Sequence, residues 1–266
     1  MTNLHGYNNL PSNVRAQIGS VVGIWKSHLG GGLAGIYLHG SIALGAFLPS
    51  SGDIDILVVT NSGIPTKKRL EIAKDIIAAD NLPCPLEMSA VTLSDLMNWK
   101  DPGNCVFHYS DFWRERCEKR FIDDSAECFV ADHDFPDHDV TSYIRLIKER
   151  GIVLYGCPIN EIFPNIPDDD FFAAISADVD DYDFHSYAPR YLSSNILILG
   201  RILSFRHEKR ILSKYEAGLW MANHVPAELR YIPKAALRVW YGAGSFDFPE
   251  DDLEKLREFL IKEIKK

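Results

Sequence analysis

The sequence lacks a C-x-x-C pair, an apolar run of about 18 residues and any excess of basic charge, and each absence removes a class of protein. Its five cysteines, Cys84, Cys105, Cys117, Cys128 and Cys157, are odd in number and widely spaced, which argues against a disulfide framework and a structural zinc site. Free thiols in a reducing compartment are expected instead. The N-terminal stretch MTNLHGYNNLPSNVR has no cationic segment followed by an apolar run, so neither a signal peptide nor a membrane span is expected, and a cytoplasmic location is. With 28 Lys and Arg against 37 Asp and Glu, the net charge of −9 is a poor match for nucleic acid and a better one for a cationic small molecule. What remains is ordinary globular composition, 46% apolar and 24% charged over 266 residues, enough for one large domain or two modest ones.

Periodicity divides the chain into two halves. Residues 11–29 read as a helix capped by Ser12 or Asn13, with Val14, Ile18, Val21, Val22 and Trp25 on one face. Strands are predicted over 34–39, 54–60 and 85–92, with an amphipathic helix over 66–80 between the last two. The first two strands are joined by a connection with no clear crossover helix, so a mixed sheet is expected rather than an all-parallel one. Residues 93–135 carry no clear period. A helix over 138–150 and a strand over 152–156 follow. The proline-bearing segment 157–170 is the best candidate boundary. Beyond it the pattern is helical, over 168–178, 188–207, 213–223, 226–241 and 250–265. The expected fold is an α/β domain over 1–157, a mixed sheet with flanking helices, followed by an all-α helical bundle over 158–266.

Four features in the first half carry chemistry together. Gly40-Ser41 ends a strand, Gly45 follows in the loop, Asp53-Ile54-Asp55 opens the next strand, and Glu87 lies on a third. Glycine lets backbone approach a phosphate, and the Ser41 hydroxyl adds a donor. Two carboxylates at i and i+2 of a strand point to one side. Mg²⁺ takes oxygen ligands at about 2.0–2.1 Å and shares them with phosphates, so Asp53 and Asp55 suit such an ion. A third carboxylate on a neighbouring strand is placed to join the metal set or to accept the proton of an attacking hydroxyl.

In the stretch LHGSIALGAFLPSSGDIDILVV, residues 38–59, the chain resembles the polymerase-β-type nucleotidyltransferases. More narrowly it is similar to the aminoglycoside adenylyltransferases acting on streptomycin and spectinomycin. The likeness extends through PLEMSAV around Glu87, residues 137–156, and RIL…SKYEAGLW between 201 and 220. The resemblance implies an N-terminal nucleotidyltransferase domain and a helical C-terminal domain, with ATP and the drug bound between them. It implies that Asp53 and Asp55 hold Mg²⁺, joined by Glu87, and that Glu87 deprotonates the drug hydroxyl. It further implies that Gly40 and Ser41 contact phosphate and that Arg201, Lys214 and Tyr241 bind ATP. Cationic side chains suit a triphosphate.

On the acceptor side the chain departs from the streptomycin pattern. The family's tryptophan after the third acidic strand falls on Asp111-Phe112, with Trp113 one position later. The family's Asp and His before the helix preceding Arg201 fall on Tyr191 and Ser194, and a Trp and an Asp shared by both drug reactions fall near Tyr182 and Tyr187. Phe112, Trp113, Tyr182, Asp183 and Tyr187 are therefore the candidate acceptor residues, and spectinomycin is favoured over streptomycin. The expected partners are ATP and a cationic small molecule, with no nucleic acid or membrane, acting on a monomer. An alternative keeps the chemistry and gives it a protein or other acceptor. The aromatics Phe107, Tyr109, Phe112 and Trp113 read either as core or as acceptor wall, and Asp132–Asp139 reads as a polar turn and helix cap. His39, beside Gly40, reads as a packing or hydrogen-bonding residue in preference to a phosphate contact.

Overall fold

The computed structural model describes residues 4–182, 184, 188–242, 244 and 247–266. Among the described residues seven strands form: β1 (Leu33–Leu38), β2 (Ile54–Thr60), β3 (Leu86–Thr92), β4 (Gly103–Cys105), β5 (Phe107–Tyr109), β6 (Phe135–Asp137) and β7 (Ile152–Gly156). Five make the main sheet in the order β5-β3-β2-β1-β7, and β4 pairs with β6 apart from it. In the main sheet β2 and β3 run parallel, whereas β1 is antiparallel to both β2 and β7, and β5 to β3. The sheet is thus mixed, as the connections predict.

The parallel pair follows from the helix Thr66–Ala79, which supplies the crossover that parallel strands require. Its residues Ile72, Ala73 and Ile76 are buried, as are Val14, Ile18, Val21 and Trp25 of the helix Ser12–Leu29. From Ile56 to Thr60 and from Met88 to Val91, β2 and β3 are buried at every residue, the mark of strands covered on both faces. Trp25 meets Phe107 of β5 edge to face at 5.2 Å between ring centroids. At the far edge, β7 passes β1 so closely that a Cβ on Gly156, whose φ is +92°, would overlap the Ala34 carbonyl.

The sequence pattern and the structure differ in several places. Pro11, not Ser12 or Asn13, is the N-cap of the first long helix, and no side chain caps it. The unreadable stretch 93–135 holds five pieces of three to nine residues, too short to set up a period: Leu93–Met97, β4, β5, Arg114–Ile122 and Phe129–Asp132, with a 3₁₀ turn at Asp111–Trp113. The first compact unit also runs past residue 157, to Pro167, and the second begins at Asp168. The segment between is tied down rather than loose. Tyr37 donates to the Cys157 carbonyl (2.8 Å), Phe163 packs edge to face on Tyr37 (4.7 Å), and Arg145 donates to the Ile166 carbonyl (2.6 Å).

The second unit is helical: Asp168–Ser176, Pro189–Glu208, Lys214–His224, Tyr231–Trp240 and Glu250–Ile264. Pro189–Glu208 is buried almost throughout from Leu192 to Phe205, so it forms the centre of the unit. Ser213 and Glu216 form a reciprocal capping box at the start of the third helix. The helix expected over 226–241 is shorter, because Pro226 leads into a separate 3₁₀ turn at Ala227–Leu229. Within the acidic run 178–183, Val179–Asp181 form a 3₁₀ turn, and Asp180 pairs with Lys265. Among the described residues no helix is long and apolar enough to cross a membrane.

One buried carboxylate joins the pieces that carry β3. The Asp80 side chain is fully enclosed and accepts from the Leu86 amide (2.8 Å), the Tyr109 hydroxyl (2.8 Å) and Arg114 Nη1 (2.9 Å). It therefore links the end of the crossover helix to β3, β5 and the helix Arg114–Ile122. Removing it strands a buried amide and a buried hydroxyl. Asp80→Ala is expected to destabilise the protein by about 3 kcal/mol in urea unfolding, and a loss under about 1 kcal/mol would show the network to be dispensable.

Candidate active site

The site grows from the ends of three adjacent strands. In the parallel register of β2 and β3, Asp55 stands directly opposite Glu87. Both are half-buried, and Asp53, just before β2, is exposed. At the end of β1, His39 donates its amide to the Asp55 carbonyl (3.0 Å), which brings Gly40 against β2. Gly40 has φ +62°, and a Cβ there would overlap the Asp55 carboxylate. The glycine is thus required twice, by its backbone angle and by the carboxylate beside it. Ser41 follows, and its Oγ is buried with no hydrogen-bond partner. A buried hydroxyl without a partner is costly unless something else supplies one, and a phosphate oxygen fits that need.

Asp53, Asp55, Glu87, Gly40 and Ser41, chosen from sequence, thus gather at one end of the sheet. Their donors are oxygens throughout, the set that suits Mg²⁺. Among the described residues no three His, Cys, Asp or Glu side chains converge into a metal-holding group of their own. Mg²⁺ ordinarily takes only one or two carboxylates and fills its shell from substrate phosphates and water, so the donor set still fits the ion.

Two further side chains belong to this end of the sheet. Tyr143, on the helix His138–Arg150, donates its hydroxyl to Glu87 Oε1 at 2.9 Å. Its ring stacks on His39, with centroids 4.5 Å apart and planes at 29°. Burial raises the Tyr143 pKa well above its ordinary value, and the charges of Glu87, Asp139 and Asp137 raise it further. It is therefore a donor at any ordinary pH. His39 is buried, and burial lowers its pKa to about 3. Its ring packs on that of Tyr143, in line with the packing reading. Tyr143 is missing from the sequence-derived set because it lies three residues after Val140 and four before Ile147, where it reads as one more core residue.

The candidate acceptor aromatics divide. Phe107 and Tyr109 are fully buried strand residues, whereas Phe112 is 74% exposed. Trp113 packs partly on the core, and Arg116 lies over its ring at 4.7 Å. The turn holding Phe112 and Trp113 begins just after Tyr109, which pairs with Met88, the neighbour of Glu87. In the polar stretch that follows, Asp137 rather than Asp139 caps the next helix, accepting the Asp139 amide at 2.9 Å.

In the helical unit, Arg201, Lys214 and Tyr241 form a second group. Lys214 donates to Ser194 Oγ (2.8 Å) and sits 4.0 Å above the Trp240 ring. Arg201 donates to the Leu212 carbonyl at 2.9 Å. Tyr241 meets Tyr215 edge to face, and its pKa is pushed up to about 12, chiefly by burial, with the Arg201 charge opposing. Trp240 and Tyr215 carry no signal in the sequence beyond their being aromatic. Tyr182 ends the 3₁₀ turn and accepts from Arg257 through its carbonyl (2.9 Å), while Asp183 and Tyr187 lie outside the described residues.

Residues 19–108 match the family model described as a nucleotidyltransferase domain, and residues 161–264 match that of the aminoglycoside adenylyltransferase C-terminal domain. The first match lies within the unit ending at Pro167, and the second spans most of the helical unit, starting seven residues before Asp168. The chain thus carries a nucleotidyltransferase domain and the C-terminal domain of the aminoglycoside adenylyltransferases. Its relatives include the spectinomycin 9-adenylyltransferase of Campylobacter jejuni, 24% identical over 93% of this chain and 94% of that one. The aminoglycoside (3'') (9) adenylyltransferase of Klebsiella pneumoniae is 22% identical, with 96% of each chain covered. A crystal structure of the spectinomycin adenyltransferase of Enterococcus faecalis with ATP and spectinomycin has the same fold, with a TM-score of 0.80 at 22% identity over 95% of this chain and 99% of that one.

The buried histidine of this adenylyltransferase has a measurable consequence. Unfolded, His39 takes up a proton near pH 6.5; folded, it refuses one until about pH 3. The unfolded state therefore binds more protons in that window, and stability falls as the pH drops below about 6.5. Between pH 7 and pH 5 His39 accounts for a loss of about 2 kcal/mol. His39→Phe, which keeps the ring and cannot titrate, is expected to flatten that part of the dependence in urea titrations at the two pH values. An unchanged slope would mean that other groups set it.

Proposed function

We propose that this enzyme transfers the adenylyl group of ATP to a hydroxyl of an aminocyclitol antibiotic, spectinomycin in preference to streptomycin, and so confers drug resistance. The observation that carries the proposal is the pairing of Asp55 with Glu87 beside the Gly40-Ser41 turn, in a chain that matches both halves of the family. The names of the relatives support the antibiotic acceptor.

In this reading Glu87 accepts the proton of the drug hydroxyl. The resulting oxygen attacks the α-phosphorus of ATP, the bond from that phosphorus to the bridging oxygen breaks, and pyrophosphate leaves with the electron pair. Asp53 and Asp55 would hold Mg²⁺, with Glu87 beside them as the base, and the ion when bound neutralises charge on the triphosphate. Ser41 donates to a phosphate oxygen, satisfying its buried hydroxyl. Arg201 and Lys214 add positive charge for the nucleotide, with Tyr241 beside them. Phe112 offers an exposed aromatic face of the kind that suits a cationic sugar, and Trp113, Tyr182, Asp183 and Tyr187 complete the acceptor set.

The test is pyrophosphate release with ATP and Mg²⁺ across spectinomycin, streptomycin and other aminoglycosides. Release is expected with spectinomycin, and Glu87→Gln is expected to lower kcat about a hundred- to ten-thousandfold, the usual worth of a general base. Silence across the panel with ATP still bound would overturn the drug assignment and point to a protein acceptor. Full activity in the Glu87→Gln protein would remove Glu87 as the base.

A further inference from the structure

A general base must present its carboxylate to the acceptor in one orientation, because a misplaced proton acceptor loses most of its effect. Glu87 sits near the start of β3, half-buried, on a flexible side chain whose last torsion is intrinsically broad. Something outside its own strand has to fix the plane of that carboxylate. The Tyr143 hydroxyl reaches Oε1 at 2.9 Å from a helix that is remote in sequence. The tyrosine is itself held, because its ring lies on His39 at 4.5 Å, and His39 is anchored through its amide to the carbonyl of Asp55. A continuous path thus runs from the Asp55 backbone through two stacked rings to one oxygen of Glu87.

We infer that Tyr143 is a positioning residue for the reaction: it orients the Glu87 carboxylate toward the acceptor hydroxyl, and His39 holds it in place. The inference rests on the reading of Glu87 as the base. A tyrosine is suited to the task because its ring carries the packing while its hydroxyl makes a single directed bond. The hydroxyl supplies direction alone and gives up no proton in the reaction. Phenylalanine removes only the hydroxyl and keeps the stack on His39, so the variant separates positioning from packing.

The experiment compares the wild type, Tyr143→Phe, Glu87→Gln and the double variant in pyrophosphate release with ATP, Mg²⁺ and spectinomycin. Thermal midpoints are recorded for all four. Tyr143→Phe is expected to lower kcat about ten- to a hundredfold, as loss of a partner that orients a reacting group does, with KM for ATP and for spectinomycin within about twofold. In the Glu87→Gln background the same change is expected to have no further effect, because there is no base left to orient. Wild-type kcat in Tyr143→Phe would overturn the inference. An equal loss from Tyr143→Phe in both backgrounds, or a loss accompanied by a fall in the thermal midpoint and a rise in both KM values, would overturn it too by making the residue merely structural. If Glu87→Gln keeps full activity, the base assignment itself fails and this inference fails with it, a result distinct from the others. No release by the wild type would overturn the proposed function as a whole.

Discussion

Everything at the catalytic end of this protein depends on the placing of two like charges side by side. Asp55 and Glu87 face each other across neighbouring parallel strands, an arrangement that weakens a sheet unless a cation or a hydrogen bond offsets it. The register cannot relax, because a shift of one residue would turn each carboxylate into the core and bring Ile54 or Leu86 out. The fully buried remainder of both strands holds it in place. The sheet therefore keeps this acidic pair in register by means of the apolar residues beyond it.

The surroundings of that pair are fitted to it atom by atom. Gly40 lies where any larger residue would displace the Asp55 carboxylate, and Ser41 presents a buried hydroxyl that the protein itself does not satisfy. Tyr143 caps one oxygen of Glu87. In the helical unit the same economy appears with the opposite sign. Lys214 is ordered by Ser194 and the face of Trp240, so its flexible stem has lost much of its freedom before any anion arrives.

The sequence made the acidic pair and the glycine-serine turn legible for a simple reason. Asp53 and Asp55 open a strand whose period is two and which is rich in β-branched residues, and Gly40-Ser41 follows directly on the end of another, so their places could be counted off directly. Glu87 needed the family resemblance, since a single carboxylate on a short strand has no signature of its own. That Asp55 and Glu87 are register partners follows from a pairing no single strand encodes. Tyr143 was hidden because its spacing from Val140 and Ile147 is that of a core residue, and its hydroxyl finds Glu87 only through tertiary packing. The stretch 93–135 was opaque because its elements are shorter than the windows over which a period can be recognised. The segment after residue 157 looked like a linker through its prolines, yet Phe163 and Ile166 fasten it to the first unit.

The pairing of β1 with β7 bears on how the protein comes into being. The acidic set lies within residues 53–87, and the strand that covers the outer edge of β1 begins only at Ile152. A chain emerging from its N-terminus therefore carries every carboxylate of the site well before β1 has its second neighbour. Until then β1, which is almost wholly apolar, offers an open row of amides and carbonyls to any passing strand. Synthesis halted before that point would leave a fragment with its chemistry present and its adhesive edge uncovered. The order of synthesis thus sets the moment at which this edge is covered.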